Sequence, residues 1–195
     1  MSTKSLYEMA FENAQASPNT PGFSCIDFEL SFSELIRVIT FIATELSKEG
    51  VGVGSKVATT LDIELDLLTI LAVNKLGAIS ASVPEGIKAL DNLADFHLVK
   101  QDAATESEIK GAKRIVAAAG WISDGKMSDS QSITESLAVF HKFEDSDIVR
   151  LFLTSGTTGE PKAVRLSHKA LFTKSELLPG TWFQYEKETT LFSPA

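Results

Sequence analysis

The sequence predicts an α/β protein made of βαβ units, with parallel strands flanked by helices, and three stretches carry that prediction. Residues 56–83 read strand, helix, strand. A run at Lys56–Leu61 is followed by Asp62, a helix over Ile63–Leu76 with Gly77 just past its end, and Ala78–Val83 closed by Pro84. A crossover of this size joins parallel neighbours, since antiparallel strands need only a tight turn. Ser31–Gly50 reads as one long capped helix. Asp147–Leu166 reads as two short strands around a loop of small and hydroxylic residues.

The elements follow in chain order. Ser5–Ala16 places Leu6, Met9, Ala10 and Ala14 at helical spacing and stops at Ser17-Pro18. Pro21-Gly22 predicts a turn, and Phe23–Phe28 a strand or hairpin arm. In Ser31-Phe32-Ser33-Glu34, Ser31 accepts from the N–H three residues on and Glu34 reaches back, a capping box. The helix it opens carries Leu35, Ile36, Ile39, Ile42, Ala43 and Leu46 along one face and ends at Gly50. Val51–Ser55 is a turn cluster. Asp95–Lys100 predicts a short strand. Thr105–Ala119 predicts a helix, acidic early and with Lys110, Lys113 and Arg114 late, as the helix dipole favours. Gly120–Ser132, rich in Gly, Ser and Asp, predicts a loop and the place of any internal boundary. Ser167 predicts an N-cap for a helix over His168–Leu178, ended by Pro179-Gly180. Trp182, Phe183 and Tyr185 fit a core or a pocket wall alike.

The loop carries the chemistry. An apolar run of Ile148, Val149, Leu151, Phe152 and Leu153, interrupted by Arg150, leads into Thr154, Ser155, Gly156, Thr157, Thr158 and Gly159. Glu160, Pro161 and Lys162 follow, then the alternating run Ala163–Leu166. Glycines let successive N–H groups turn toward one anionic centre. The four hydroxyls can donate to phosphate oxygens or help ligate a hydrated Mg²⁺. Lys162 adds a flexible positive charge. A Walker loop does not fit: counted from Gly156, it requires glycine at Pro161 and Ser or Thr at Ala163.

Thr154–Lys162, with Ser167-His168-Lys169-Ala170-Leu171 after it, resembles the signature of the adenylate-forming (AMP-dependent synthetase/ligase) superfamily. That pattern is a strand, [ST]-S-G-[ST]-T-G-x-P-K-G-V, then S-H-x-x-L, and Ala163 departs from its usual glycine. The superfamily contains acyl-CoA synthetases, peptide-synthetase adenylation domains and luciferases. Earlier residues resemble it in the same order: Ile26-Asp27, Ser31–Leu35, Gly50-Val51-Val53-Gly54-Ser55-Val57-Ala58 and Ala72-Lys75-Gly77-Ala78. The resemblance implies that residues 1–195 are an N-terminal subdomain fragment, an incomplete portion of the large adenylate-forming domain. The parts that grip adenine and ribose, an acidic Mg²⁺ ligand and a catalytic lysine would lie further along, so no catalytic residue is expected in this stretch.

By that resemblance the parent enzyme activates a small carboxylic acid with ATP as an acyl-adenylate. It then passes the acyl group to a thiol, that of CoA or of phosphopantetheine on a carrier protein. Thr154, Ser155, Gly156, Thr157, Thr158, Gly159 and Lys162 are the expected ATP-phosphate contacts, with Thr154 also the candidate Mg²⁺ ligand. The alternative is a truncated, non-catalytic nucleotide-binding or protein-interaction module.

Composition sets the limits. At 195 residues the chain can bury a sizeable core, and 44% hydrophobic with 23% charged residues is ordinary for a globular protein. A net charge of −8 argues against a nucleic-acid binder or an anionic membrane surface, but a local nest of N–H groups can still hold ATP. Cys25 is alone, which excludes a disulfide framework within the chain. The start lacks a signal peptide's apolar core, and the longest apolar run, Leu67–Val73 around Thr69, is too short to span a bilayer, so the cytoplasm is the expected compartment. His97 and His141 have no partner at ligand spacing and read as core or solvated histidines. His168, in a first helical turn, reads as a packing or helix-start residue.

Overall fold

Ser5 opens the first helix of the computed structural model, which describes residues 4–86, 88–101, 108–128, 136–154 and 161–173. Its hydroxyl accepts from the Glu8 N–H at 3.1 Å, and α1 runs Leu6–Ala16. A hairpin follows, β1 (Pro21–Ser24) and β2 (Glu29–Ser31), paired antiparallel. Pro21-Gly22 is therefore not a turn but the start of a strand. Gly22 lies against the Phe32 ring, where a Cβ would come within 2.8 Å of Cδ1, so packing fixes the backbone there. The turn instead spans residues 25–28, with the Cys25 N–H bonded to the Phe28 carbonyl and Ile26 fully exposed.

The capping box forms as the sequence implies. Ser31 Oγ accepts from Glu34 N, Glu34 Oε2 accepts from Ser31 N at 2.9 Å, and α2 runs Phe32–Lys48. Eight of its residues are buried, from Leu35 to Leu46. Each large aliphatic among them contributes about 1.5–3 kcal/mol by leaving water.

The βαβ unit is present. β3 (Lys56–Thr60), α3 (Ile63–Lys75) and β4 (Ile79–Ser82) follow one another, and the two strands pair in parallel from Lys56↔Ile79 to Thr59↔Ser82. Asp62 stands at the N-cap of α3 without bonding its N–H groups, and its carboxylate pairs with Lys100 at 3.2 Å instead. β5 (Phe96–Lys100) and β6 (Lys113–Ala117) extend the sheet on the far side of β3. α4 runs Trp121–Met127, β7 Ile148–Thr154 and β8 Lys162–Ser167. The sheet order is β6-β5-β3-β4-β7-β8, parallel throughout except for β8.

Two sequence expectations fail here. Thr105–Ala119 is not helical where it is described: Gly111 sits at φ +86° and Lys113–Ala117 pairs with β5 along its whole length. Ile115 and Val116 are β-branched, and a free neighbouring edge outweighed the helix-like charge order. Residues 120–132 are not simply a loop, since α4 occupies Trp121–Met127. Trp121 is buried, and Gly125 meets Val38 of α2 so closely that a Cβ would stand 2.8 Å from its Cα. Tertiary packing holds this short helix against its poor propensity.

Each sheet face has its own core. Val57, Leu98, Ile115 and Ala117 face the helices with Tyr7, Ile39, Leu46, Leu68, Val73 and Trp121. Ala58, Ala81 and Leu151 turn to the other side, where Val83, Leu90, Ala94 and Ile109 cover them. The alternation of strand side chains places adjacent Val57 and Ala58 in different cores. Among the described residues, no helix is long and apolar enough to cross a membrane.

Candidate functional site

β7 carries the candidate loop to the carboxyl edge of the sheet. Val149 and Leu151 are buried, which pins the strand, and the strand ends at an exposed Thr154. β8 returns antiparallel, in register from Ile148↔Ser167 to Thr154↔Lys162, with an irregularity between Ile148 and Arg150. Thr154 Oγ1 donates to the Lys162 carbonyl at 3.3 Å. The Lys162 side chain is exposed and takes no partner among the described residues. The structure therefore sets Thr154 and Lys162 opposite each other at the mouth of a hairpin. Ser155, Gly156, Thr157, Thr158 and Gly159 lie outside the described residues, as do Trp182, Phe183 and Tyr185.

Below that mouth lies a polar network. Arg150 Nη1 donates to Ser80 Oγ at 3.1 Å and Nη2 to Ser82 Oγ at 2.8 Å. Ser82 Oγ donates to Asp66 Oδ2 at 2.6 Å, and Thr59 Oγ1 to Asp66 Oδ1 at 2.5 Å. β3, β4, β7 and the first turns of α3 are thus stitched together by side chains. Burial pushes Arg150 below its usual value while the Asp66 charge works against that shift. The sequence does contain a signal for this network. An arginine inside an otherwise apolar strand needs partners, and Ser80 and Ser82 alternate onto one face of the next strand.

A second feature shares the carboxyl edge. β3 crosses to β4 on one side while β5 connects to β6 on the other, so the order in which strands are added reverses between β3 and β5, which run parallel. Open α/β sheets present a crevice at such a point. A cavity of about 700 Å³ lies there, lined among others by Asp62, Leu65, Lys100, Ala117 and Ile122. None of the described residues of β7 and β8 is among those lining it.

The histidines are structural in their surroundings. His97 is buried, and its Nδ1 accepts from the Ile109 N–H at 3.3 Å, which leaves Nε2–H to donate to Thr60 Oγ1 at 2.9 Å. Burial first, then Arg114, holds His97 below the ordinary histidine value, with Glu108 opposing. His141 packs edge-on against Phe143, with ring centroids 4.7 Å apart. His168 is buried against Phe143, its Nε2 is 3.1 Å from the Lys4 carbonyl, and its N–H donates to the Asp147 carbonyl. Ser167 Oγ accepts from Ala170 N at 3.2 Å, so it caps the helical residues 168–173.

Comparison with known proteins adds the family. The model of the AMP-binding enzyme family matches residues 10–195. The 4-chlorobenzoate–CoA ligase of Arthrobacter sp. is 31% identical over 156 residues, covering 73% of this chain and 28% of the ligase. Tyrocidine synthase 1 of Brevibacillus parabrevis is 28% identical, covering 86% of this chain and 16% of the synthase. This chain therefore spans less than a third of the length of either relative. Among solved structures, VinN superimposes with a TM-score of 0.75 at 14% identity, over 93% of this chain and 50% of VinN. The o-succinylbenzoate CoA synthetase of Bacillus subtilis, in complex with its acyl-adenylate intermediate, gives 0.70 at 16%, over 94% and 47%. At those identities the likeness is one of fold.

Proposed function

The chain belongs to the AMP-binding enzyme family, and from that premise we propose that the whole protein activates a carboxylic acid with ATP. In this reading the chain supplies the N-terminal portion of the adenylating domain and its phosphate-binding loop. A carboxylate oxygen attacks the α-phosphorus of ATP. The bond between the α-phosphorus and the bridging oxygen breaks, giving an acyl-adenylate and pyrophosphate. A thiol, of CoA or of carrier-protein pantetheine, then takes the acyl carbon and AMP leaves.

The observation that carries the reading is the placement of Thr154 and Lys162. They face each other at the carboxyl edge of a parallel sheet, at the two ends of the Ser155–Glu160 segment. Reactions at phosphorus of this kind rest on positioning and charge neutralisation rather than on covalent help from the protein. In this reading the exposed Lys162 ammonium offsets charge on the leaving pyrophosphate. Thr154 Oγ1 donates its proton to the Lys162 carbonyl, and among the described residues nothing donates to its lone pairs, which suit a hard cation. The donor set thus fits a magnesium-bound polyphosphate, and Thr154 is the residue that would hold the ion. Mg²⁺, when bound, neutralises phosphate charge.

The test is carboxylate-dependent exchange of labelled pyrophosphate into ATP, run on the full-length protein with fatty, aryl and amino acids. Exchange that appears with one acid class supports acid activation. MgATP binding by calorimetry without exchange for any acid favours a nucleotide-binding module instead.

A further inference from the structure

β7 joins the parallel sheet against β4. Among the described residues it registers on β4 at a single pair, Ser80↔Arg150, whereas β3 pairs with β4 and with β5 over four residues each. The side chain of Arg150 adds a second tie between the same two strands. Its two terminal nitrogens reach two hydroxyls, Ser80 and Ser82, that are neighbours on one face of β4. Alternate residues on one strand stand about 6.8 Å apart, and a planar guanidinium spans both only at one longitudinal setting. Any shear of β7 along β4 breaks one of the two bonds. The far end is also fixed, because Ser82 passes the link to Asp66, and Thr59 holds the other carboxylate oxygen. The guanidinium lies over the Phe152 ring, 5.1 Å from its centroid, which removes another degree of freedom.

Thr154 is four residues beyond Arg150 on the same strand, and β8 brings Lys162 beside it. We propose that Arg150 is a positioning residue of the phosphate site: by bridging Ser80 and Ser82 it sets how far β7 is advanced along β4, and so where Thr154 and Lys162 stand. Ser82 and Asp66 are the other two links of the same device. The inference rests on the reading of the Thr154–Lys162 hairpin as an ATP-phosphate site. A shift on the order of 1 Å at such a site costs about a hundredfold in rate even when the altered residue is remote from the chemistry.

The experiment is pyrophosphate exchange on the full-length enzyme with Arg150→Met, Arg150→Lys and Ser82→Ala, and with Lys162→Ala alongside. Arg150→Met should lower kcat/KM for MgATP by about ten- to a hundredfold while the KM for the carboxylic acid stays within about twofold. Arg150→Lys and Ser82→Ala each keep part of the bridge, since a lysine reaches one hydroxyl at a time, and should fall between wild type and Arg150→Met. If Arg150→Met does not fold, these two milder variants carry the test. Wild-type kinetics toward MgATP in both, or a KM for the acid that rises as much as that for MgATP, overturns the positioning role. Lys162→Ala separates the two claims. Exchange lost in Lys162→Ala but intact in the Arg150 and Ser82 variants removes only this inference, whereas exchange intact in Lys162→Ala removes the phosphate-site reading beneath it.

Discussion

Replacing Gly77 with alanine should unfold the α3–β4 junction out of proportion to the one carbon added. Gly77 follows the C-cap of α3 with φ +73°, a conformation that an L side chain pays about 1–2 kcal/mol to adopt. Its surroundings add a second cost. A Cβ built there would stand 2.5 Å from Cγ of His141 and 2.9 Å from Cβ and Cδ2 of the same ring. That ring has little room to yield, because it packs against Phe143 and the backbone N–H of His141 is tied to the Lys75 carbonyl at 3.0 Å. Overpacking of this kind costs about 1–3 kcal/mol. The two together give about 2–5 kcal/mol, or roughly 5–15 °C in Tm for a chain of this size. Urea and thermal unfolding of the purified protein measure it. His141→Ala isolates the second part: in the double variant the ring is gone, and a coupling of about 1 kcal/mol or more in favour of the pair should appear. A loss below about 0.5 kcal/mol in Gly77→Ala would refute both halves of the argument, and a coupling near zero would refute the clash with His141.

Two titrating groups give further predictions. His97 is held below its ordinary value of 6.5, so the unfolded chain binds the proton first; its contribution to stability is complete above pH 6.5 and fades as the pH falls below it. His97→Phe should therefore lose the part of the acid dependence seen just below pH 6.5 in denaturant titrations, and an unchanged profile contradicts the assignment. Lys75 is buried beneath the Tyr7 ring, its amine donates to the carbonyls of Ser136 and Val139, and burial pushes its pKa from 10.5 to about 8. Its contribution is complete above 10.5 and lost as the pH falls toward 8, so wild type should gain on Lys75→Met between pH 8 and 10. Tyr7, pushed up to about 12, stays protonated in the folded state across that window. A stability difference that stays flat with pH contradicts this.

Elements whose signals are local were legible in the sequence. Ser31 and Glu34 announce α2 because a capping box is a contact between residues three apart. Asp62 and Gly77 bracket α3, and Pro84 marks the end of the strand before it. The hairpin of β7 and β8 is readable because an apolar run at 148–153 and an alternating run at 163–166 bracket the loop of glycines and hydroxyls. What was not legible depends on contacts distant in the chain. β6 resembles a helix until β5 offers it an edge, and α4 resembles a loop until Trp121 and Gly125 meet α2. The network of Asp66, Ser82 and Arg150 escaped for the same reason, since its members are 16 to 84 positions apart and only the sheet order makes them neighbours. Within the candidate site, Thr154 and Lys162 are register partners across β7 and β8, and the residues between them lie outside the described ones.

The account turns on whether the ammonium at the head of β8 serves a nucleotide's phosphates. Pyrophosphate exchange by Lys162→Ala in the full-length protein, set beside wild type and normalised to folded enzyme, asks this directly. Losing one preorganised charge of this kind costs about 10²–10³ in rate, with the fold and Tm unchanged because the side chain is exposed. Exchange at the wild-type rate in a correctly folded Lys162→Ala would contradict the account.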